Sequence, residues 1–246
     1  MKKCGKVSFS GWIPAVVFLL MIMLTAVSQW ILPGISDPMQ NIVKAWEQEQ
    51  VQPDQPYSME AGDMEIALTF DDGPHPVWTE KLLDGLKARE IRATFFVIGK
   101  SAEEYPELVQ RMVDEGNQVG NHTYSHVQLT TCSEAGALEE IRKTQEAIYQ
   151  ASGFRTGYIR PPFGCWNEKL QQETSLEAVL WDVDPYDWKV QNTDAVVRSI
   201  LQQTEDGSII LLHDVYETSV EAALKVADIF LEKGYRFCTV DEIMIE

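Results

Sequence analysis

Apolar and polar positions fall into three regimes along this chain. From Trp12 to Val27 the residues are apolar apart from Pro14 and Thr25. From Pro33 to Gly62 they are polar, with four prolines and many Gln and Glu. From Asp63 onward, short apolar runs alternate with stretches of helical period. The runs predict strands at Glu65–Phe70, Ala93–Ile98, Gln118–Gly120, Tyr158–Arg160, Ala178–Val183, Ser208–Leu212 and Arg236–Val240. The periodic stretches predict helices near Val77–Arg89, Glu103–Glu115, Ser133–Ala151, Asn167–Gln172, Asp194–Gln203 and Thr218–Lys233. Thr131-Cys132-Ser133-Glu134 has capping-box spacing and marks the start of the third helix. Strands alternating with helices predict an α/β fold of parallel β/α units. Six or seven such units favour a barrel, here an incomplete one, over an open doubly wound sheet.

The first regime follows Lys2, Lys3 and Lys6, which makes a charged region ahead of an apolar one. Extended to Leu32 it reaches about 20 residues, enough to span a bilayer. The lysines would keep the N-terminus cytoplasmic and export the rest. The expectation is an uncleaved signal anchor over residues 12–32, giving a single-pass membrane protein with an extracytoplasmic working part. A cleaved peptide with a weak site at Ala26-Val27-Ser28 is the alternative and would make the protein secreted. Residues 1–32 thus form a stub and anchor, 33–62 a polar linker with room for a short helix near Asn41–Gln50, and 63–246 the working domain.

Charge sharpens the picture. The formal net charge is −18, and residues 1–36 contribute only lysines, so the remainder carries 17 bases against 38 acids. That excludes nucleic acid, which needs a basic face, but suits a neutral or partly cationic polymer such as a glycan. Three cysteines, Cys132, Cys165 and Cys238, follow the apolar segment, so at most one bridge forms among them. Cys132–Cys165 is the pair to test, and small buried apolar residues are the alternative, one that fits Cys238 in "YRFCTV" well.

Candidate chemistry gathers where the predicted strands end. Asp71 and Asp72 sit side by side in "TFDDGP", a costly pairing unless something opposite compensates them. The four histidines, His75, His122, His126 and His213, each lie just beyond a predicted strand, where β/α enzymes build their sites. His122 and His126 have i, i+4 spacing, which lets both imidazoles face one side of a helical turn. With Asp72 they offer two imidazoles and a carboxylate, a donor set for Zn²⁺ or a similar ion with positions left open. Such an ion would neutralise one aspartate and leave Asp71 free as a base toward water. In "YIRPPFG" the double proline fixes the backbone after Arg160, whose planar fork can clamp a carboxylate. "WDVDPYDWKV" brings Asp182, Asp184 and Asp187 among Trp181 and Trp188, and "IILLHD" places His213 and Asp214 after an apolar strand. A solvated turn or helix cap for the Asp pair and a structural role for His213 are the ordinary alternatives, and His75 is read as a turn residue beside Pro74 and Pro76, with lining of a substrate groove as its alternative.

Taken in order, "TFDDGP", "NHTYSH", "RPPFG", the "DW" at 187–188 and "LLHD" resemble the five motifs of the polysaccharide deacetylase (NodB-like) domain, carbohydrate esterase family four. The resemblance covers about residues 63–243 and is closest to peptidoglycan N-acetylglucosamine deacetylases. It implies a distorted barrel with fewer than eight complete units. It implies Asp71 as catalytic base, Asp72, His122 and His126 as metal triad, and Arg160 as the group that orients Asp71. His213 would be the general acid with Asp187 as its charge partner. Trp188 and Leu211 would line the pocket for the acetyl methyl, and the Phe163 backbone N–H would stabilise the oxyanion. The metal would be Zn²⁺, with Co²⁺ as a substitute.

The expected activity is metal-dependent removal of N-acetyl groups from amino sugars, in peptidoglycan by virtue of the exported location. An acetylxylan esterase or chitin-oligomer deacetylase keeps the chemistry and changes the polymer. An inactive glycan-binding protein on the same scaffold would have lost the base, a ligand or the acid, and none is lost. A two-carboxylate glycosidase would leave His122 and His126 unused. Oligomeric state is not legible in the sequence.

Overall fold

The computed structural model of the 246-residue chain describes residues 64–244. The anchor predicted over 12–32, the linker over 33–62 and its short helix lie outside the described residues. No described helix is long and apolar enough to cross a membrane.

Strand β1 (Glu65–Asp71) is buried from Ile66 onward, as a strand covered on both faces must be. Helix α1 (Trp78–Ala88) follows, then β2 (Thr94–Val97), α2 (Gly99–Glu104), α3 (Pro106–Asp114), β3 (Gln118–Asn121) and α4 (Glu134–Ser152). The chain continues through β4 (Tyr158–Ile159), α5 (Glu168–Glu173), β5 (Glu177–Ala178), α6 (Asp187–Val190) and α7 (Thr193–Gln203). It ends with β6 (Ser208–His213), α8 (Glu217–Glu232), β7 (Arg236–Phe237) and α9 (Val240–Met244). All pairings among the described strands are parallel, in the order β5-β4-β3-β2-β1-β6, with β7 against the start of β1. The segment after β5 then bridges to β6 at Val183–Ile210, so the sheet turns back on itself. This is the parallel α/β fold the sequence predicts, and its ring is joined at that point by a single bridge.

Side chains alternate along β1. Ile66, Leu68 and Phe70 face outward into the core built with Leu82, Leu83 and Leu86 of α1 and Val220, Val226 and Phe230 of α8. Ala67 faces inward, toward Phe96, Val179 and Val240. Space inside is short. A Cβ on Gly120 of β3 would lie 2.4 Å from the Phe96 ring.

The predicted elements shift where a local rule or a distant partner intervenes. The single helix expected at 103–115 is two, because Pro106 starts α3 and forces Tyr105 out of helical geometry. The N-cap of α4 is Ser133, whose hydroxyl accepts from the Gly136 N–H, and not Thr131, which closes a 3₁₀ turn. Gly153 ends α4 in the left-handed conformation. The strand expected at 178–183 stops at Ala178. Beyond it the Val179 and Leu180 carbonyls accept from the Arg160 guanidinium in place of a strand neighbour. The last strand stops at Phe237 because Thr239 binds Glu242 and Asp241 and opens α9.

Candidate active site

Parallel strands deliver their C-terminal ends to one side, and the chemistry-bearing residues sit there. Asp71 is the last residue of β1, paired in register with His213, the last of β6. His122 follows β3 directly and Arg160 follows β4. Asp187 opens α6 beyond the bridge to β6.

Arg160 is the largest fully buried side chain of the described residues. Its Nη1 donates to Asp71 Oδ1 at 2.9 Å and to Thr69 Oγ1 at 2.6 Å. Its Nε and Nη2 donate to the Val179 and Leu180 carbonyls. The guanidinium lies over the Phe96 ring, 4.3 Å from its centroid. Asp71 is therefore held at one oxygen while Oδ2 lies 3.8 Å from His122 Nε2. Thr69, one inward position below Asp71, completes this set. It was missed from sequence because its partner lies 91 residues away.

Asp72 takes a left-handed φ of 76°, rare for a residue other than glycine. Its Oδ1 lies 3.4 Å from Nε2 of both His122 and His126. The two histidines do not share a helical turn as their spacing suggested. They lie in a loop bent by left-handed residues at Thr123 and His126, and the loop brings the rings to 5.0 Å between centroids. The Nδ1 of His122 lies 2.6 Å from the Arg160 carbonyl, to which it donates, so Nε2 is the ring nitrogen that faces Asp72.

The fit of these side chains to a divalent ion can be judged from the atoms themselves. Their donor atoms lie within 4.8 Å of one another. Asp72 Oδ1 is buried without a hydrogen-bond partner, costly for a carboxylate that faces no cation. Burial disfavours a proton on His122, yet the Asp71 and Asp72 carboxylates outweigh it and raise its pKa. Burial likewise opposes charge on Asp72, but nearby His122, His213 and His126 hold its carboxyl below the usual range. Burial lowers His126 despite Asp72, favouring the neutral form that ligates. The cluster demands positive charge between its members, and two imidazoles with one carboxylate fit a zinc-like ion with open positions.

His213 faces this cluster from β6. Asp187, fully buried, accepts from the His213 backbone N–H through Oδ2 and from its ring Nδ1 through Oδ1, both at 2.8 Å. Burial works against the imidazolium, but Asp187, backed by Asp71 and Asp72, pushes His213 up to about 9. That environment favours the protonated ring at neutral pH, with Nε2 as the ring nitrogen not engaged by Asp187.

Among the residues expected to contact substrate, Phe163 is 65% exposed with a left-handed φ of 61°, its ring edge-on to His126. Trp188 is half-exposed on α6, whereas Leu211 is buried within β6. His75 plays a structural part. Its Nδ1 accepts from the Val77 and Trp78 N–H groups and so caps α1. Cys132 and Cys165 are not bridged, each sulfur facing a carbonyl of its own loop, and Cys238 is buried.

Fold and site together define a class: a parallel α/β protein with an Asp-His-His cluster that could hold a metal ion, a clamped carboxylate and an aspartate-backed imidazole at the strand ends. Residues 58–178 match the family described as polysaccharide deacetylase. The chain is 41% identical over 206 residues to the peptidoglycan-N-acetylmuramic acid deacetylase PdaC of Bacillus subtilis, covering 84% of this chain and 42% of that protein. It is 40% identical over 178 residues to the peptidoglycan-N-acetylglucosamine deacetylase PgdA of Listeria monocytogenes, covering 72% and 38%. The solved structure of Bacillus subtilis PdaC superposes with a TM-score of 0.72 at 44% identity, over 74% of this chain and 90% of that one. The chain belongs to the polysaccharide deacetylase family. It spans about two fifths of the length of these curated relatives.

Proposed function

We propose that the protein is a zinc-dependent deacetylase that hydrolyses the N-acetyl amide of amino sugars in peptidoglycan and releases acetate. The observation that carries the reading is the register of Asp71 with His213, which supports their pairing as base and acid beside the group of residues that could hold an ion. Asp72, His122 and His126 would hold a divalent ion, which would supply Lewis acidity to the attack of water on the acetyl group. Asp71, held by Arg160, takes the proton from that water as it adds to the acetyl carbon. The Phe163 N–H donates to the oxygen that gains charge. His213 gives its Nε2 proton to the sugar nitrogen as the C–N bond breaks, and Asp187 stabilises the imidazolium beforehand. Trp188 and Leu211 accommodate the acetyl methyl.

The peptidoglycan substrate is supported by the names of the relatives and by the net charge of −18, which suits a polymer that gains ammonium groups as it reacts. A membrane anchor over residues 12–32 would hold the domain at the wall. The test is acetate release by the purified full chain from peptidoglycan, chitin oligomers and acetylxylan. Activity on the first, abolished by chelation and restored by zinc or cobalt, is the expected result. Full activity in excess chelator would refute the metal mechanism, and preference for acetylxylan would refute the substrate.

A further inference from the structure

One buried carboxyl takes no part in the chemistry above. Asp214, directly after His213, is fully buried, and among the described residues no cationic side chain is hydrogen-bonded to it. Burial raises its pKa to about 7. Its Oδ2 accepts from the Thr79 hydroxyl, itself fully buried in the first turn of α1. Thr79 Oγ1 in turn accepts from the His75 N–H at 2.7 Å. Against the same carboxyl packs Gly73, the residue after the ion ligand Asp72. A Cβ there would lie 2.3 and 2.4 Å from the two Asp214 oxygens, so only a glycine allows this approach. On its other side the Gly73 carbonyl accepts from the Ile98 N–H at 2.9 Å, at the end of β2.

Asp72 needs such support. It is a non-glycine residue in the left-handed region, and from that conformation its carboxylate lies 3.4 Å from both imidazoles. We infer that Asp214 and Thr79 are a positioning pair that holds the turn after β1 and so sets Asp72 in line with His122 and His126. Asp214 forms the wall behind Gly73, Thr79 ties that wall to His75 on the far side of the turn, and the Ile98 N–H closes the third side. Because Asp214 adjoins His213, one short segment at the end of β6 fixes both the proton donor and, through the turn, an ion ligand. The inference rests on Asp72, His122 and His126 being the ion ligands.

The test reads ion affinity without substrate, so it stands apart from the choice of polymer. Zinc affinity of the purified full chain is measured by competition with a chromophoric chelator, alongside the melting temperature of the metal-free protein. Thr79→Val, isosteric but without the hydroxyl, and Asp214→Ala, without the wall, are expected to bind zinc about tenfold more weakly or worse, in the range for groups that orient ligands. Thr79→Ser, which restores the hydroxyl, should return to within about threefold of wild type. Zinc affinity within about twofold of wild type in both Thr79→Val and Asp214→Ala, whatever their melting temperatures, would overturn the inference. If Asp214→Ala does not fold, the comparison of Thr79→Val with Thr79→Ser decides alone. Failure of the wild-type chain to bind zinc overturns the ion reading and this inference with it.

Discussion

Replacing Asp187 with asparagine removes one charge from the site and should move the alkaline limb of the rate profile. Asp187 accepts two hydrogen bonds, one from the His213 backbone N–H and one from its ring, and asparagine has only one oxygen to offer. The asparagine also carries no charge to hold the imidazolium. The His213 pKa is pushed from 6.5 to about 9, with burial opposing and Asp187 the foremost group in favour. At ~1.4 kcal/mol per unit this shift is on the order of 3 kcal/mol of preference for the charged ring. The His213 side chain is only 13% exposed, so solvent screens little of it. Because the pKa is raised, this stabilisation is fully present below pH 6.5 and fades as pH rises through about 9. A divalent ion beside Asp72 offsets the share owed to Asp71 and Asp72 but leaves that of Asp187. In Asp187→Asn the His213 pKa should fall to about 6.5 or below, leaving about one tenth of the rings protonated at pH 7.5. Acetate release should then drop ~10-fold at pH 7.5 from protonation alone, and far less at pH 6. Rate profiles from pH 5.5 to 10, with an NMR titration of the His213 ring in the metal-free protein, check both parts. A variant-to-wild-type ratio that stays constant with pH, or a ring pKa that does not move, would refute the assignment of His213 as an acid tuned by Asp187.

Three further outcomes follow from the same geometry. Arg160→Met strands the Asp71 charge in a buried site and should destabilise the fold by about 3–5 kcal/mol in urea unfolding, with part of the loss recovered in Arg160→Met/Asp71→Asn. A loss below about 1 kcal/mol would contradict the burial argument. Asp71→Asn should bind zinc like wild type yet release no measurable acetate, whereas Asp72→Ala should bind it at least ~10-fold more weakly by isothermal titration calorimetry. Equal zinc affinity in the two variants would count against the division of labour between them. Gly120→Ala must displace the Phe96 ring, and a melting curve should show a loss of about 1–3 kcal/mol. An unchanged melting point would mean that the interior has slack.

Much of this was legible because a few residues carry unambiguous signals. The continuous apolar run ending in Asp71 and the one ending in His213 could only be buried strands, and parallel order then put their ends together. The i, i+4 spacing of His122 and His126 pointed to convergence for the wrong reason. A helical turn was expected, while left-handed residues at Thr123 and His126 achieve the meeting in a loop. Such φ values have no marker when the residue is not glycine. The break at Pro106 follows a rule visible in sequence, but the helical period runs through it and masks the boundary. The early end of β5 was invisible, because nothing near Val179 and Leu180 says that a guanidinium about 20 residues away takes their carbonyls. The Thr79–Asp214 pair, 135 residues apart, is hidden for the same reason.

Arg160 carries a consequence for how this site can be watched. The guanidinium that grips the proposed base also occupies the carbonyls where the sheet would otherwise fray between β5 and its bridge to β6. Opening of that seam is therefore expected to loosen the grip on the carboxylate. Amide exchange at Val179, whose N–H donates to Ile159, and at Val183, which donates to Ile209, reports on the state of a carboxylate at the end of another strand. A slow-exchanging seam would then serve as a gauge of whether the proposed catalytic groups are assembled, readable with no substrate present.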